Sequence, residues 1–319
     1  MEKISNNNPT RIIILLTFTA LLWGGNAVAV KKVLTEISPF VVTMLRFAVF
    51  SCLLLLVSWY REGRRCLPSL RQLPTLILMG LFGTVLNNGV QFTGLMYSTA
   101  INCVVITAFG PAITGALAAV ILNERLNRRQ WTGVAISSIG VVVIASGGSW
   151  ARLAGLSFNW GDVLFLVACL GWSLYSIFGR RVMKELSPLT TTAWTGLFGT
   201  LQMLILCLLQ GFDGSVPLTG QNWAWFAYMC IGSGLVAFTL WNVGVAAIGP
   251  NRASLFINLI PLFGILFSVL LLGEAVGWFH GAAALLIIGG VGLATRGRKI
   301  CLSGGRGLRK SCGVGAGNK

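Results

Sequence analysis

Residues 31–39, Lys-Lys-Val-Leu-Thr-Glu-Ile-Ser-Pro, return 149 positions later as Arg-Arg-Val-Met-Lys-Glu-Leu-Ser-Pro at residues 180–188. Upstream of the two stretches, Trp23 and Trp172 stand at the same offset. Further along, the offset is 150: Gly94 matches Gly244, Pro111 matches Pro261, Leu122 and Glu124 match Leu272 and Glu274, and Gly140 matches Gly290. Each match alone is weak, but their common order and near-constant offset mark an internal repeat with one residue of slippage.

Composition tells which solvent the repeat folds in. Of 319 residues, 55% are hydrophobic and 10% charged, and the mean hydropathy is +0.81. A water-soluble domain could not hide so much apolar surface. A membrane-spanning helix needs about 20 apolar residues, and ten such stretches are present, near 12–30, 40–59, 74–95, 101–121, 131–149, 161–179, 190–211, 223–246, 252–272 and 277–295. The first is too long, and too closely followed by charged residues, to be a cleaved signal peptide. Each half of the repeat holds five spans, an odd number, so the second half enters the bilayer from the opposite side. The expected fold is an all-α membrane protein of ten transmembrane helices arranged as two inverted five-helix repeats. Residues 1–11 form a cytoplasmic N-terminus, 12–149 the first repeat, 161–296 the second, and 297–319 a basic, Gly-rich, disordered tail.

The formal net charge of +16 becomes topology once its residues are placed. With the N-terminus inside, twenty basic residues fall on the inner side, among them Arg61, Arg64, Arg65, Arg125, Arg128, Arg180 and Arg181. Only Lys31, Lys32 and Arg152 fall outside, and Arg46 lies within the second span. This asymmetry puts both termini in the cytoplasm of a multi-pass, bacterial-type inner membrane protein. It also argues against nucleic acid as a partner, because the basic groups are spread over short, separate loops. The lipid bilayer and a small-molecule substrate are the expected partners; a monomer suffices, and a homodimer is compatible with the sequence.

The motifs Leu22-Trp23-Gly24-Gly25-Asn26, Pro39 with Arg46-Phe47, Pro111 ahead of Leu122-Asn123-Glu124, Gly161-Asp162 leading to Trp172, and Pro261 ahead of Leu272-Gly273-Glu274 together resemble the drug/metabolite transporter superfamily, specifically its EamA-type permeases. The resemblance covers residues 10–297. It implies secondary transport of small metabolites, often export of amino acids or related compounds, with the substrate held between the halves. Proton-coupled drug efflux and nucleoside or sugar permeation are the alternatives within that class. Inverted repeats suit alternating access in any case, since two pseudo-symmetric states can open one central site to either side in turn.

Polar side chains deep in spans are the candidate cavity lining, because such groups are costly in lipid. They are Asn26, Asn88, Gln91, Asn242 and Asn258. Asn88 and Gln91 are three apart and share one face of a regular helix. Trp23, Trp172, Tyr175 and Trp241 lie well inside spans and offer stacking faces with a single donor; Trp23 and Trp172, as repeat mates, would flank a pseudo-symmetric cavity. Interhelical packing and hydrogen bonding account for the same residues without a substrate. Pro111 and Pro261 sit mid-span and free a backbone carbonyl, as bending points would. Glu124 and Glu274 fall at span ends, where capping or ion pairing is expected, and Asp162 reads as a helix N-cap. Arg46 is expected to snorkel or pair, with attraction of anions near the outer entrance as the lesser alternative.

No carboxylate occupies the centre of a span, and the single His, His280, lies near the end of the tenth, so passive or weakly coupled exchange is expected. The eight Cys show no metal or disulfide spacing, and no cofactor is called for. A phosphate-cradling loop is absent from the sequence, which disfavours an ATP-driven pump. An intramembrane enzyme lacks its Ser/His or paired-carboxylate constellation, and no filter-like stretch suggests a channel.

Overall fold

A computed structural model describes residues 9–212, 214–272 and 277–295. Residues 1–8, Glu274 and the segment 297–319 lie outside the described residues. Among the described residues, ten long helical passes follow in order: span one Pro9–Val33, two Pro39–Cys66, three Leu73–Tyr97, four Ile101–Ile121, five Arg128–Ser146, six Trp160–Val182, seven Pro188–Leu209, eight Gly220–Ile248, nine Pro250–Leu271 and ten Trp278–Thr295. Nine of these described helices are apolar enough on their own to cross a bilayer. Span five is the exception because Arg128, Arg129 and Gln130 open it and Ser137 and Ser138 lie along it. Gln130, Ser137 and Ser138 are all buried against protein.

The repeated Glu-x-Ser-Pro marks a span boundary in both halves for a local reason. Ser38 and Ser187 sit in extended backbone and accept from the backbone N–H of Val41 and Thr190, while Pro39 and Pro188 open the helices. A serine cap followed by proline satisfies a free N–H and presets φ. Span five starts instead with a capping box, Asn127 with Gln130, and at the start of span six Asp162 reaches back to the Asn159 N–H. Asp162 is thus the third helical residue and not the cap itself. Its carboxylate accepts from the Asn159 N–H at 2.9 Å, the Ser98 hydroxyl at 2.5 Å and the Asn102 amide at 3.0 Å.

Pro111 and Pro261 do not kink continuous α-helices. Span four breaks after Thr107 and restarts at Gly110, and span nine runs as a 3-10 stretch over Ser254–Leu259 before its α-helix begins at Ile260. Each proline stands in the first turn of the new segment, where a missing N–H costs nothing. Spans three and eight carry a second matched irregularity, π-helical stretches at Leu81–Val90 and Ile231–Val236, whose first residues are repeat mates at an offset of 150.

The halves pack about a pseudo-two-fold, with span five along span ten, span two along span seven, spans eight and nine against span one, and spans three and four against span six. Individual contacts occur twice. Gly94 faces Phe165, and their mates Gly244 and Leu16 face each other; Gly83 meets Tyr175, and their mates Ser233 and Asn26 share a 2.6 Å hydrogen bond. Between spans five and ten, a Cβ on Gly290 would lie 2.7 Å from the Gly133 carbonyl, and one on Gly140 would lie 3.0 Å from the Ala283 carbonyl, its mate contact. In hydrocarbon there is little hydrophobic drive between helices, so close backbone approach over small residues holds such pairs together.

The symmetry extends to the loops, where it becomes unequal. Glu36 accepts from the Thr219 backbone N–H at 2.9 Å and from the Thr219 hydroxyl at 2.8 Å, and the Asn222 side chain bonds it as well. Its mate Glu185 accepts from Gln72 at 2.7 Å, Gln72 being the mate of Asn222. A cavity of about 730 Å³ opens beside this second clasp, lined by Ser69, Arg71, Thr75, Phe178 and Arg181.

Two outcomes are expected. Gly290→Leu should destabilise the protein by about 1–3 kcal/mol or prevent its assembly, read as a lowered melting temperature in detergent against an unchanged Gly292→Leu control, since a Cβ at Gly292 meets nothing. The hydrogen bonds from Asn222 and from the Thr219 N–H and hydroxyl hold the Glu36 carboxyl below the usual carboxylate range. With the native pKa depressed, the clasp's contribution is complete above the ordinary glutamate value of about 4.3 and is lost as pH falls through the lower native value. Melting curves of wild type and Glu36→Gln should therefore differ at neutral pH and converge in strong acid.

Candidate functional site

The repeat mates Trp23 and Trp172 meet at the middle of the bundle, with ring centroids 5.2 Å apart in an edge-to-face arrangement. Trp241 from span eight closes the triangle at 5.5 Å from Trp23 and 5.1 Å from Trp172. The two indoles thus touch in this structure instead of standing on opposite sides of an open cavity, because indole edges pack favourably against neighbouring faces. Tyr175 stacks on Trp172 at 5.3 Å, and Phe238 packs edge-on to Trp23 at 5.6 Å.

A shell of polar groups surrounds these rings. The Trp23 indole donates to the Ser233 carbonyl at 3.0 Å, and the Trp241 indole to the Ser176 hydroxyl at 3.3 Å. Asn242 donates to the Tyr175 hydroxyl at 2.7 Å and to Thr192 at 2.8 Å. Asn258 reaches across to span five and donates to Ser137 at 2.8 Å. Asn26 accepts from Ser233 on span eight.

The π-helical turn changes the register expected for span three. Asn88 is buried within the π-helical stretch, and its side-chain amide donates to the Gly83 carbonyl of the same helix at 2.7 Å. Gln91 points its amide at the Cys103 sulfur of span four at 3.6 Å. Asn88 is therefore engaged with its own helix while Gln91 is engaged with the next one. By the repeat, Asn88 and Gln91 are the mates of Phe238 and Trp241, so matched positions carry amides in one half and aromatic rings in the other.

Not every buried polar atom has a partner. The Trp172 indole N–H and the side-chain oxygens of Asn242 and Asn258 are buried without one, each at a cost of about 1–3 kcal/mol. These atoms suit a solute offering donors to the two amide oxygens and an acceptor to the indole N–H. No cluster of His, Cys, Asp or Glu able to hold a metal occurs among the described residues.

Glu124 lies just beyond span four and pairs with Arg180 of span six at 3.7 Å, and Arg180 also donates to the Ala246 carbonyl. Arg46 departs from expectation. It neither snorkels nor pairs: its side chain is 2% exposed, and Nε and Nη1 have no acceptor. Phe238, Ser176, Ser233 and Thr192 also belong to the central network and were not singled out from sequence. Hydroxyls and phenylalanines are frequent in membrane spans, and nothing in their spacing separates these four positions from the rest.

The EamA-like transporter family model matches this chain twice, over residues 10–146 and 159–296. An uncharacterized transporter of Bacillus subtilis, YyaM, is 27% identical over 285 residues, covering 88% of this chain and 92% of that protein. An uncharacterized transporter of Archaeoglobus fulgidus is 28% identical over 282 residues, covering 88% and 96%. A probable amino-acid metabolite efflux pump of Salmonella typhimurium is 24% identical over 290 residues, covering 87% and 92%. A protein of known crystal structure superposes with a TM-score of 0.77 at 21% identity, covering 90% of this chain and 96% of its own, a likeness of fold. Two family matches laid on the two halves of one repeat, in an all-helical membrane bundle, leave one assignment: the chain belongs to the EamA-like transporter family.

Proposed function

We propose that this transporter exports small polar metabolites, amino acids or related compounds, by alternating access between its inverted halves. The observation that carries the reading is the unequal pair of symmetry-related clasps. At Glu36 the ends of the helices are tied by Thr219 and Asn222. At Glu185 a single bond from Gln72 stands beside an open cavity. A molecule with matched gates, one tied and one loosened, has the form of one state of a rocking pair, and exchanging the two inequivalent arrangements gives the other.

The distribution of Lys and Arg supports placing the Glu185 side in the cytoplasm, with both termini on that side and the chain in a bacterial-type inner membrane. This state would then load from the cytoplasm, in keeping with export. Trp23, Trp172, Tyr175, Trp241 and Phe238 form the apolar floor of the proposed route, and Asn26, Gln91, Asn242 and Asn258 supply donors and acceptors. An amino acid of modest apolar side chain suits such a lining, and the relative named as an amino-acid metabolite efflux pump points the same way. The two mid-span breaks at Pro111 and Pro261 provide places where the helices change direction between states. A monomer contains the whole route.

Mass spectrometry of medium from cells with and without the gene should show one or more amino acids or close derivatives accumulating outside only when the protein is present. Gln91→Ala and Asn242→Ala should each lower initial efflux roughly tenfold, the effect of about 1.4 kcal/mol lost from a substrate contact; wild-type rates in both would remove these residues from the route. In liposomes, an imposed pH gradient should leave the exchange rate unchanged. Strong acceleration would establish proton coupling, with the titrating group to be sought at the span ends.

A further inference from the structure

Arg46 lies seven residues into span two from Pro39, about 10 Å along the helix at 1.5 Å per residue. Its guanidinium is enclosed by protein, with the Phe47 ring 5.3 Å away and the Cys230 thiol of span eight within reach of its charge. Nε and Nη1 have no hydrogen-bond acceptor. Neither does a carboxylate of the described chain answer it. Glu36 is held by Thr219, Glu62 by Thr190, Glu124 by Arg180, Asp162 by Ser98, Asn102 and Asn159, and Glu185 by Gln72. A buried charge without a partner costs several kcal/mol, and in a membrane span an ionisable group of this kind marks a substrate or ion pathway by default.

The pseudo-two-fold gives the position its meaning. The mate of Arg46 is Thr195, buried beside the Tyr175 hydroxyl of the central polar network and donating to the Thr191 carbonyl at 2.8 Å. The mate of Tyr175 is Asn26, itself bonded to Ser233. Arg46 thus takes, in the half-site of Asn26 and Ser233, the place that Thr195 takes in the half-site of Tyr175 and Asn242. One half-site is furnished with hydroxyls and an amide, and the other adds to its hydroxyl and amide a guanidinium whose Nε and Nη1 donors are unused.

We infer that Arg46 is the anion-binding residue of the transport route and takes the carboxylate of a small anionic or zwitterionic solute. Guanidinium is the donor best matched to a carboxylate, offering parallel N–H groups in a fixed plane. The inference rests on the transport reading for its biological meaning and deepens it by naming the charged group recognised. Because Arg46 stands at the tied Glu36 end, the site is closed from that side here and becomes reachable there when the Thr219 and Asn222 bonds to Glu36 release. Membrane phospholipid is a poor occupant, since Arg46 points into the protein and not at the lipid surface.

The test uses the full chain in detergent, with benzoate and its neutral isostere benzamide as probes and intrinsic tryptophan fluorescence and melting temperature as readouts. Benzoate should stabilise the wild type and perturb its fluorescence, and benzamide should do neither. Arg46→Met should melt higher than wild type without ligand, having lost an unpaired buried charge, and should bind benzoate roughly 10- to 100-fold more weakly, the range expected for one charge-assisted hydrogen-bonded contact. Arg46→Lys should keep part of the response, which covers a Met variant that fails to fold. Equal responses to benzoate and benzamide in the wild type, or an undiminished benzoate response in Arg46→Met, would overturn the assignment. Counterflow of L-phenylalanine against phenethylamine in liposomes separates the two readings. Benzoate binding that depends on Arg46 without any counterflow would leave the anion site standing and refute the transport reading. Counterflow that is indifferent to the carboxylate and to Arg46 would do the reverse.

Discussion

Close approach of symmetry-related helices is the constraint on which the rest of the molecule depends. Inside a bilayer every backbone polar group must be satisfied within the chain, and lipid tails compete on equal terms for apolar side chains. Helices therefore associate through packing at short range. Spans five and ten achieve this where Gly140 and Gly290 each lie against a backbone carbonyl of the other helix. The contact of Gly94 with Phe165, repeated by Gly244 with Leu16, ties span three to span six and span eight to span one in matched fashion. A glycine at one position implies a tolerant partner at its mate, which is why the repeat survives in the sequence as scattered glycines and prolines.

A symmetric scaffold is put to asymmetric use. Matched positions carry Phe238 and Trp241 in span eight but Asn88 and Gln91 in span three, Tyr175 in span six but Asn26 in span one, and Thr195 in span seven but Arg46 in span two. On the alternating-access proposal, the backbone would interconvert two equivalent frames while the lining stays chemically directional. π-helical turns at the same place in spans three and eight shift the register of the following residues and turn Asn88 back on its own helix. Such turns concentrate at functional sites because they re-aim side chains at the expense of helix regularity.

The clasps are the contacts that such an interconversion would exchange. Each is a glutamate at the start of the Ser-Pro boundary, tied to the first residues of a neighbouring span. Both are surface hydrogen bonds exposed to water, so either can exchange partners readily. The difference between three donors at Glu36 and one at Glu185 is a small bias laid over near-degenerate halves, and a bias of that size is what a substrate or a membrane potential can reverse.

The ten spans, the two halves and their inversion were legible in the sequence, because hydropathy over about 20 residues and an odd count of spans per repeat are properties of the chain alone. The boundary signals Ser38-Pro39 and Ser187-Pro188 were legible too, since capping is local. Span five was readable by pattern although its opening residues lower its hydropathy. What the sequence left open was direction and contact. It offered Trp23 and Trp172 as separated walls, Asn88 and Gln91 as one face, Pro111 and Pro261 as kinks, and Arg46 as a residue that snorkels or pairs. Only the tertiary structure decides these, because a span's azimuth follows from packing against its neighbours, and a π-turn or a mid-span break rotates every residue beyond it. Whether a buried guanidinium finds a partner depends on helices distant in the chain, and no periodicity records that.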